Sequence, residues 1–186
     1  MNDIETLIYG LTPSQTALLR KIRDLLAQPI HEEVESDSDI VVPAFAEEFR
    51  NHLILHHALT EQLFNKKPFE YAFASACRAA GHDAKITVSG THPGCDVSVD
   101  GRSYSCKTEA ARNMNRGSIT ISKLMEARWI RDCTSPSDYC SNARARLTTH
   151  LADYERIVML RAFKLDDGRA EYQLIEIPKD VLLLVS

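Results

Sequence analysis

The chain has 186 residues, 44% apolar and 26% charged, with 7 Gly and 7 Pro. That supports a packed core and excludes collagen-like, low-complexity and wholly disordered classes. The formal net charge of −4 argues against a small non-specific nucleic-acid coat, though local charge can still handle a polyanion. The five cysteines, Cys77, Cys95, Cys106, Cys133 and Cys140, are odd in number and form no CxxC, which argues against a disulfide framework or a zinc ribbon.

The opening, MNDIETLIYG, has acids where a secretory signal carries lysines. No apolar run approaches the roughly 20 residues of a membrane helix, so a soluble, cytoplasmic protein is expected. Thr12-Pro13 reads as an N-cap and first turn, and Ala17, Leu18, Ile22, Leu25 and Leu26 keep a helical stripe to about Ala27. From Pro29 to Glu48 there are acids and no Lys or Arg, with a loop expected over Glu32 to Asp39. A second helix is expected from about Pro43 to Phe64, and a third from near Pro68 to a helix-ending Gly81. Short alternating segments follow at Ala84 to Val88, Cys95 to Val99 and Ser103 to Glu109, the last two joined by Asp100-Gly101, a hairpin signal. Helices are expected at about Ser122 to Asp132 and Ser137 to Leu151. Two apolar, β-rich runs close the pattern, Ile157 to Phe163 and Glu171 to Ile177, around Asp166-Asp167-Gly168. The order predicts a mixed α/β fold, with a central mixed sheet of about five strands flanked by helices.

The stretch GCDVSVDGRSYSCKTE, Gly94 to Glu109, carries the chemistry. A two-residue loop at Asp100-Gly101 sets Val99 opposite Arg102 and Asp96 opposite Ser105. Side chains alternate along a strand, so Ser105, Lys107 and Glu109 share a face with Asp96, while Val97, Val99, Tyr104 and Cys106 face a core. Acids and a lysine on one face suit metal-assisted phosphodiester hydrolysis: hard ions such as Mg²⁺ bind carboxylate oxygens, and a neighbouring lysine stabilises developing charge.

These residues resemble the PD-(D/E)XK nuclease superfamily, whose best-known members are type II restriction endonucleases. The resemblance covers about Pro68 to Glu109, including a helix opened by Pro68-Phe69-Glu70. It implies a restriction-endonuclease-like fold. Asp96 would be the metal acid, Lys107 the catalytic lysine and Glu70 the auxiliary acid on the helix. The position two before the lysine is usually Glu or Asp in that family and here is Ser105, so Glu70 and Glu109 are the candidates to replace it. Pro93 lies three residues before Asp96 rather than beside it. Cys106 is carried as a third metal candidate, although alternation points its thiol into the core. The implied cofactor is Mg²⁺, with Mn²⁺ as substitute.

The resemblance also implies a double-stranded DNA substrate, a homodimer and a companion methyltransferase. A basic zone after the strand, Arg112, Asn113, Asn115, Arg116 and Lys123, is expected along the DNA. Residues 1–66 are expected as a helical region for dimerisation or for embracing DNA, and 67–186 as the nuclease core. A structure-directed repair or resolvase-type nuclease and a non-catalytic DNA-binding subunit are the alternatives. The ending VLLLVS, directly after a strand, raises the expectation that a C-terminal recognition segment is missing.

Rival sites are plainer. His52 and His56 have zinc-compatible spacing, with His57 and Glu48 nearby, but no HExxH. Cys133, Cys140 and His150 match no common ligand spacing. Neither a Gly-rich phosphate loop nor GxSxG occurs, which argues against nucleotide kinases and α/β-hydrolases.

Overall fold

The structure is a computed structural model that describes residues 9–34, 37–87, 95–110, 114–121, 124 and 128–184. Helix α1, Pro13–Leu26, begins with a capping box: Thr12 Oγ1 accepts from the Gln15 amide and Gln15 Oε1 from the Thr12 amide. None of its residues is buried. Helix α2, Pro43–Leu59, stops short of the expected Phe64. Thr60 turns to extended backbone, its hydroxyl accepts from the Gln62 amide, and the His56 ring takes the Gln62 carbonyl. Those local bonds replace further helical ones. Helix α3, Lys66–Ala79, starts two residues before Pro68, which the first turn tolerates because its amides have no helical partner. The chain leaves α3 through Gly81 at φ +95°, with the amides of Gly81 and His82 closing on the carbonyls of Arg78 and Cys77, both at 3.0 Å. This is the Schellman ending that favours glycine at the left-handed position.

Five strands form one mixed sheet in chain order: β1 (Ala84–Ile86), β2 (Val97–Val99), β3 (Arg102–Glu109), β4 (Arg156–Lys164) and β5 (Ala170–Pro178). All neighbours are antiparallel except β3 and β4, which run parallel. The parallel step needs a long crossover, and α4, Pro136–Ala152, supplies it after a short 3-10 helix at Arg128–Asp132. A capping box between Ser135 and Asp138 fixes the start of α4.

Each sheet face is covered. On one side Phe45 and Phe49 of α2 and Phe69, Phe73, Ala76 and Cys77 of α3 pack against Val97, Val99, Tyr104, Cys106, Val158 and Leu160. On the other, Leu151 of α4, Tyr154, Ile157 and Ile177 pack with Leu182 and Leu183 of the closing helix α5, Lys179–Leu183. The Phe45–Phe73 and Phe49–Phe69 rings are 5.8 and 6.1 Å apart. Residues of α2 and α3 thus share one core across residues 66 and 67. Among the described residues α1 is the one helix of eight or more residues that buries nothing. Among the described residues no helix is long and apolar enough to cross a membrane.

Candidate active site

The site starts from a tight hairpin. Asp100 and Gly101 both have positive φ, 49° and 78°, the pair that a two-residue turn requires between twisted strands. The Asp100 carboxylate is fixed by the Asp83 amide at 2.9 Å and by His82 Nδ1 at 2.7 Å. The turn sets Val99 opposite Arg102 and Val97 opposite Tyr104. Asp96 lies just before β2 and meets Ser105 and Cys106 of β3 through its carboxylate. The Asp96 amide donates to the Tyr104 carbonyl at 2.9 Å. Its Oδ2 accepts from the Cys106 amide at 2.7 Å and from Ser105 Oγ at 3.4 Å. The carboxylate is thus held over β3 by the strand's own backbone.

The start of α3 closes the other side. Lys66 Nζ lies 2.8 Å from Asp96 Oδ1 and 3.6 Å from Glu70 Oε1, and Lys67 Nζ lies 3.0 Å from Glu70 Oε2. Glu70 is buried, its side chain 5% exposed. Burial pulls the Lys66 pKa down, but its bond to Asp96 and the charges of Asp96 and Glu70 outweigh that, so it sits above the ordinary lysine value. Lys107 stands two residues beyond Ser105, half-buried. Burial lowers its pKa against the pull of Asp96, and the positive charge of Lys66 lowers it further.

The expected site residues separate into those this geometry gathers and those it does not. Asp96 and Glu70 meet through Lys66, Lys107 on β3 feels the charges of both acids, and Ser105 is fully buried with its hydroxyl 3.4 Å from Asp96. Glu109 does not join them. Its carboxylate takes Arg161 Nε at 2.7 Å, and Arg161, 1% exposed, also bonds Gln173 and the carbonyls of Asn115, Arg116 and Ser118. Of the two acids expected to stand in for Ser105, Glu70 shares a cation with Asp96, whereas Glu109 is committed to fastening the loop after β3. Cys106, the third metal candidate, has its thiol fully buried in the core, and burial, with the charges of Asp96 and Glu70, pushes its pKa well up. It reaches the site through its amide alone.

In the basic zone Asn115 is exposed and its Oδ1 accepts from the Gly117 amide at 2.8 Å. Arg116 is exposed, pairs with Glu171 and lies over the Phe163 ring, 4.5 Å from its centroid. Arg112, Asn113, Lys123 and Pro93 lie outside the described residues. His52 meets Glu48 and His56 meets Gln62, so the histidine pair does not converge. Lys66 and Arg161 went unmarked in the sequence. The Lys66–Glu70 pair was readable as an i,i+4 contact, but the meeting of Lys66 with Asp96 comes from tertiary packing.

Two hard oxygen donors, one buried, reach a single positive charge here, and that charge is an ammonium. The donor set suits Mg²⁺, which takes one or two carboxylates and fills its remaining positions with water and substrate phosphate. Among the described residues no group of three or more His, Cys, Asp or Glu side chains that could hold a metal ion converges.

Comparison with known proteins gives a consistent picture. The model of the SmaI family, described as type II site-specific deoxyribonuclease, matches residues 4–185. The type II restriction enzyme SmaI of Serratia marcescens is 36% identical over 152 residues, covering 80% of this chain and 58% of that enzyme. The chain thus spans less than two thirds of that relative's length. No solved structure matches it.

Proposed function

Because the chain belongs to the SmaI family of type II site-specific deoxyribonucleases, we propose that it is a Mg²⁺-dependent endonuclease of the PD-(D/E)XK kind, which hydrolyses phosphodiester bonds in double-stranded DNA at a defined sequence. The observation that carries this reading is the convergence of Asp96 and Glu70 on one cationic position, with Lys107 on the neighbouring strand. Asp96 and Glu70 would hold the ion, with Mn²⁺ as a substitute. When bound, the ion polarises the phosphoryl oxygens and neutralises charge that builds at phosphorus.

The protein's own residues do the rest. The Cys106 amide and Ser105 Oγ hold the Asp96 carboxylate in place, which spares reorganisation during reaction. Lys107 presents its ammonium to the same developing charge from β3. Burial makes Nζ hold its proton less tightly than a free lysine does. Water attacks phosphorus, the 3′ oxygen leaves, and the products are a 5′-phosphate and a 3′-hydroxyl. Asn115 and Arg116, with Arg112, Asn113 and Lys123, would lie along the duplex. Cutting both strands of a symmetric site calls for two copies. The exposed Leu18, Leu19 and Leu26 of α1 offer an apolar face for that homodimer. A companion methyltransferase would protect host DNA in the cytoplasm.

The test is digestion of a phage genome with Mg²⁺ and with EDTA. Discrete bands with Mg²⁺ alone are expected, and mapping their ends gives the recognition sequence. A smear would replace this reading with a structure-directed or non-specific nuclease. A gel shift without cleavage would replace it with a non-catalytic DNA-binding subunit, for which Ser105 at the usual acid position is the supporting feature.

A further inference from the structure

Lys66 stands where the ion of this reading would have to sit. Its ammonium is 2.8 Å from Asp96 Oδ1 and 3.6 Å from Glu70 Oε1, so it bridges the two carboxylates that come from different elements. The Asp96 and Glu70 side chains are 19% and 5% exposed, and Lys66 is 47% exposed. Two carboxylates that close, with so little water, repel unless a positive charge lies between them. Lys67 supplies part of that charge to Glu70 Oε2, but it makes no bond to Asp96. A divalent ion needs the same oxygens at about 2.0–2.1 Å, and two cations cannot share that space. The half-exposed stem of Lys66 gives its ammonium a route out to water.

We propose that Lys66 is a resident counter-cation: it holds Asp96 and Glu70 together in the metal-free protein and is displaced when a divalent ion enters. This rests on the reading that those two acids are the metal ligands. Nothing else in the site makes Lys66 necessary for chemistry, since Lys107 already supplies a cation on the β3 side. The device keeps the site assembled without metal, at the cost of weaker metal binding.

The experiment uses the full chain and two readouts other than cleavage. Calorimetric titration with Mn²⁺ compares the unmodified protein with Lys66→Met, Lys66→Gln and Asp96→Asn. Both Lys66 variants are expected to bind Mn²⁺ about tenfold more tightly, the scale of one lost charge-assisted bond to be displaced, and Asp96→Asn is expected to lose binding. On the unmodified protein, acetylation of lysines read by peptide mass spectrometry needs no substitution. Mg²⁺ is expected to raise the labelling of Lys66 and leave that of exposed Lys85 unchanged. If the Lys66 variants bind Mn²⁺ equally or more weakly while Asp96→Asn loses it, the counter-cation role is overturned and the metal site stands. Unchanged labelling of Lys66 at saturating Mg²⁺ overturns it as well. If neither the unmodified protein nor the Lys66 variants bind Mn²⁺, or Asp96→Asn binds as well as they do, the metal reading itself fails and this role fails with it.

Discussion

Asp96 owes its position to very short-range causes: a two-residue turn four residues on, an amide from Cys106, and a hydroxyl from Ser105. None of these depends on its charge being useful, so the acid can be neutralised without dismantling the hairpin. Asp96→Asn and Lys107→Ala are therefore each expected to lower the cleavage rate by at least roughly 10²–10³-fold, the usual cost of removing a group that faces transition-state charge. Gel-shift affinity for DNA and the circular dichroism spectrum should remain close to those of the unmodified protein. Cleavage retained by both variants would remove this site. Ser105 is a different kind of residue, buried under the carboxylate and reaching it only at 3.4 Å; its part is positioning. The turn pair, the alternation on β3 and the lysine two residues after Ser105 were all legible in the sequence because they are local. Lys66 was not, since Asp96 lies 30 residues away and meets it only when α3 docks on the sheet.

Among the elements, β4 shows where a local rule is broken for a reason. Its run from Ile157 to Phe163 is buried and apolar except for Arg161. That side chain is 1% exposed, pairs with Glu109 across the parallel ladder, and takes the carbonyls of Asn115, Arg116 and Ser118. A charge buried at this depth persists only when its donors are used, and removing one partner leaves the other uncompensated. Arg161→Met is expected to lower unfolding stability by about 3–5 kcal/mol, read by urea denaturation, and to make the 115–118 segment a site of early proteolysis. Combining it with Glu109→Gln should cost less than the sum, because the two act as one unit. Stability changes that add fully would mean that Glu109 and Arg161 are independent. An interruption by arginine in an apolar strand is visible in the sequence; its partner and the loop it fastens are not.

Across the whole molecule, the N-terminal third is tied to the far edge of the sheet by a short polar relay. Tyr172 on edge strand β5 accepts from the Phe64 amide at 3.0 Å and meets His57 Nε2 on α2 at 2.7 Å. The His57–Tyr172 bond can run either way, because the hydroxyl both donates and accepts and the role of the ring nitrogen follows the tautomer. Burial and the charge of neighbouring His56 lower the His57 pKa below 6.5. A depressed folded-state pKa means that the unfolded chain binds the proton more readily. The contribution is thus fully present above about pH 6.5 and is lost as pH falls through the lower folded value. Urea unfolding is expected to show stability declining over that range. His57→Gln should flatten part of the decline, with His150, whose pKa burial also lowers, supplying a share of the same sign. An unchanged slope in His57→Gln would show that the relay carries no such linkage.

Features with short-range causes are readable from the order of residues alone. The cap at Thr12, the ending at Gly81, the two hairpins, the alternation that sends Cys106 to the core and Lys107 away from it, and the mixed five-stranded sheet all follow from backbone preference and side-chain period. Tertiary structure decided the rest. It packed α2 and α3 into one core, because aromatic rings from both helices fill one space. It assigned Glu109 to Arg161, and it brought Lys66 between Asp96 and Glu70. Buried like charges must find compensation wherever the packed chain can supply it, and no spacing along the chain encodes which cation arrives.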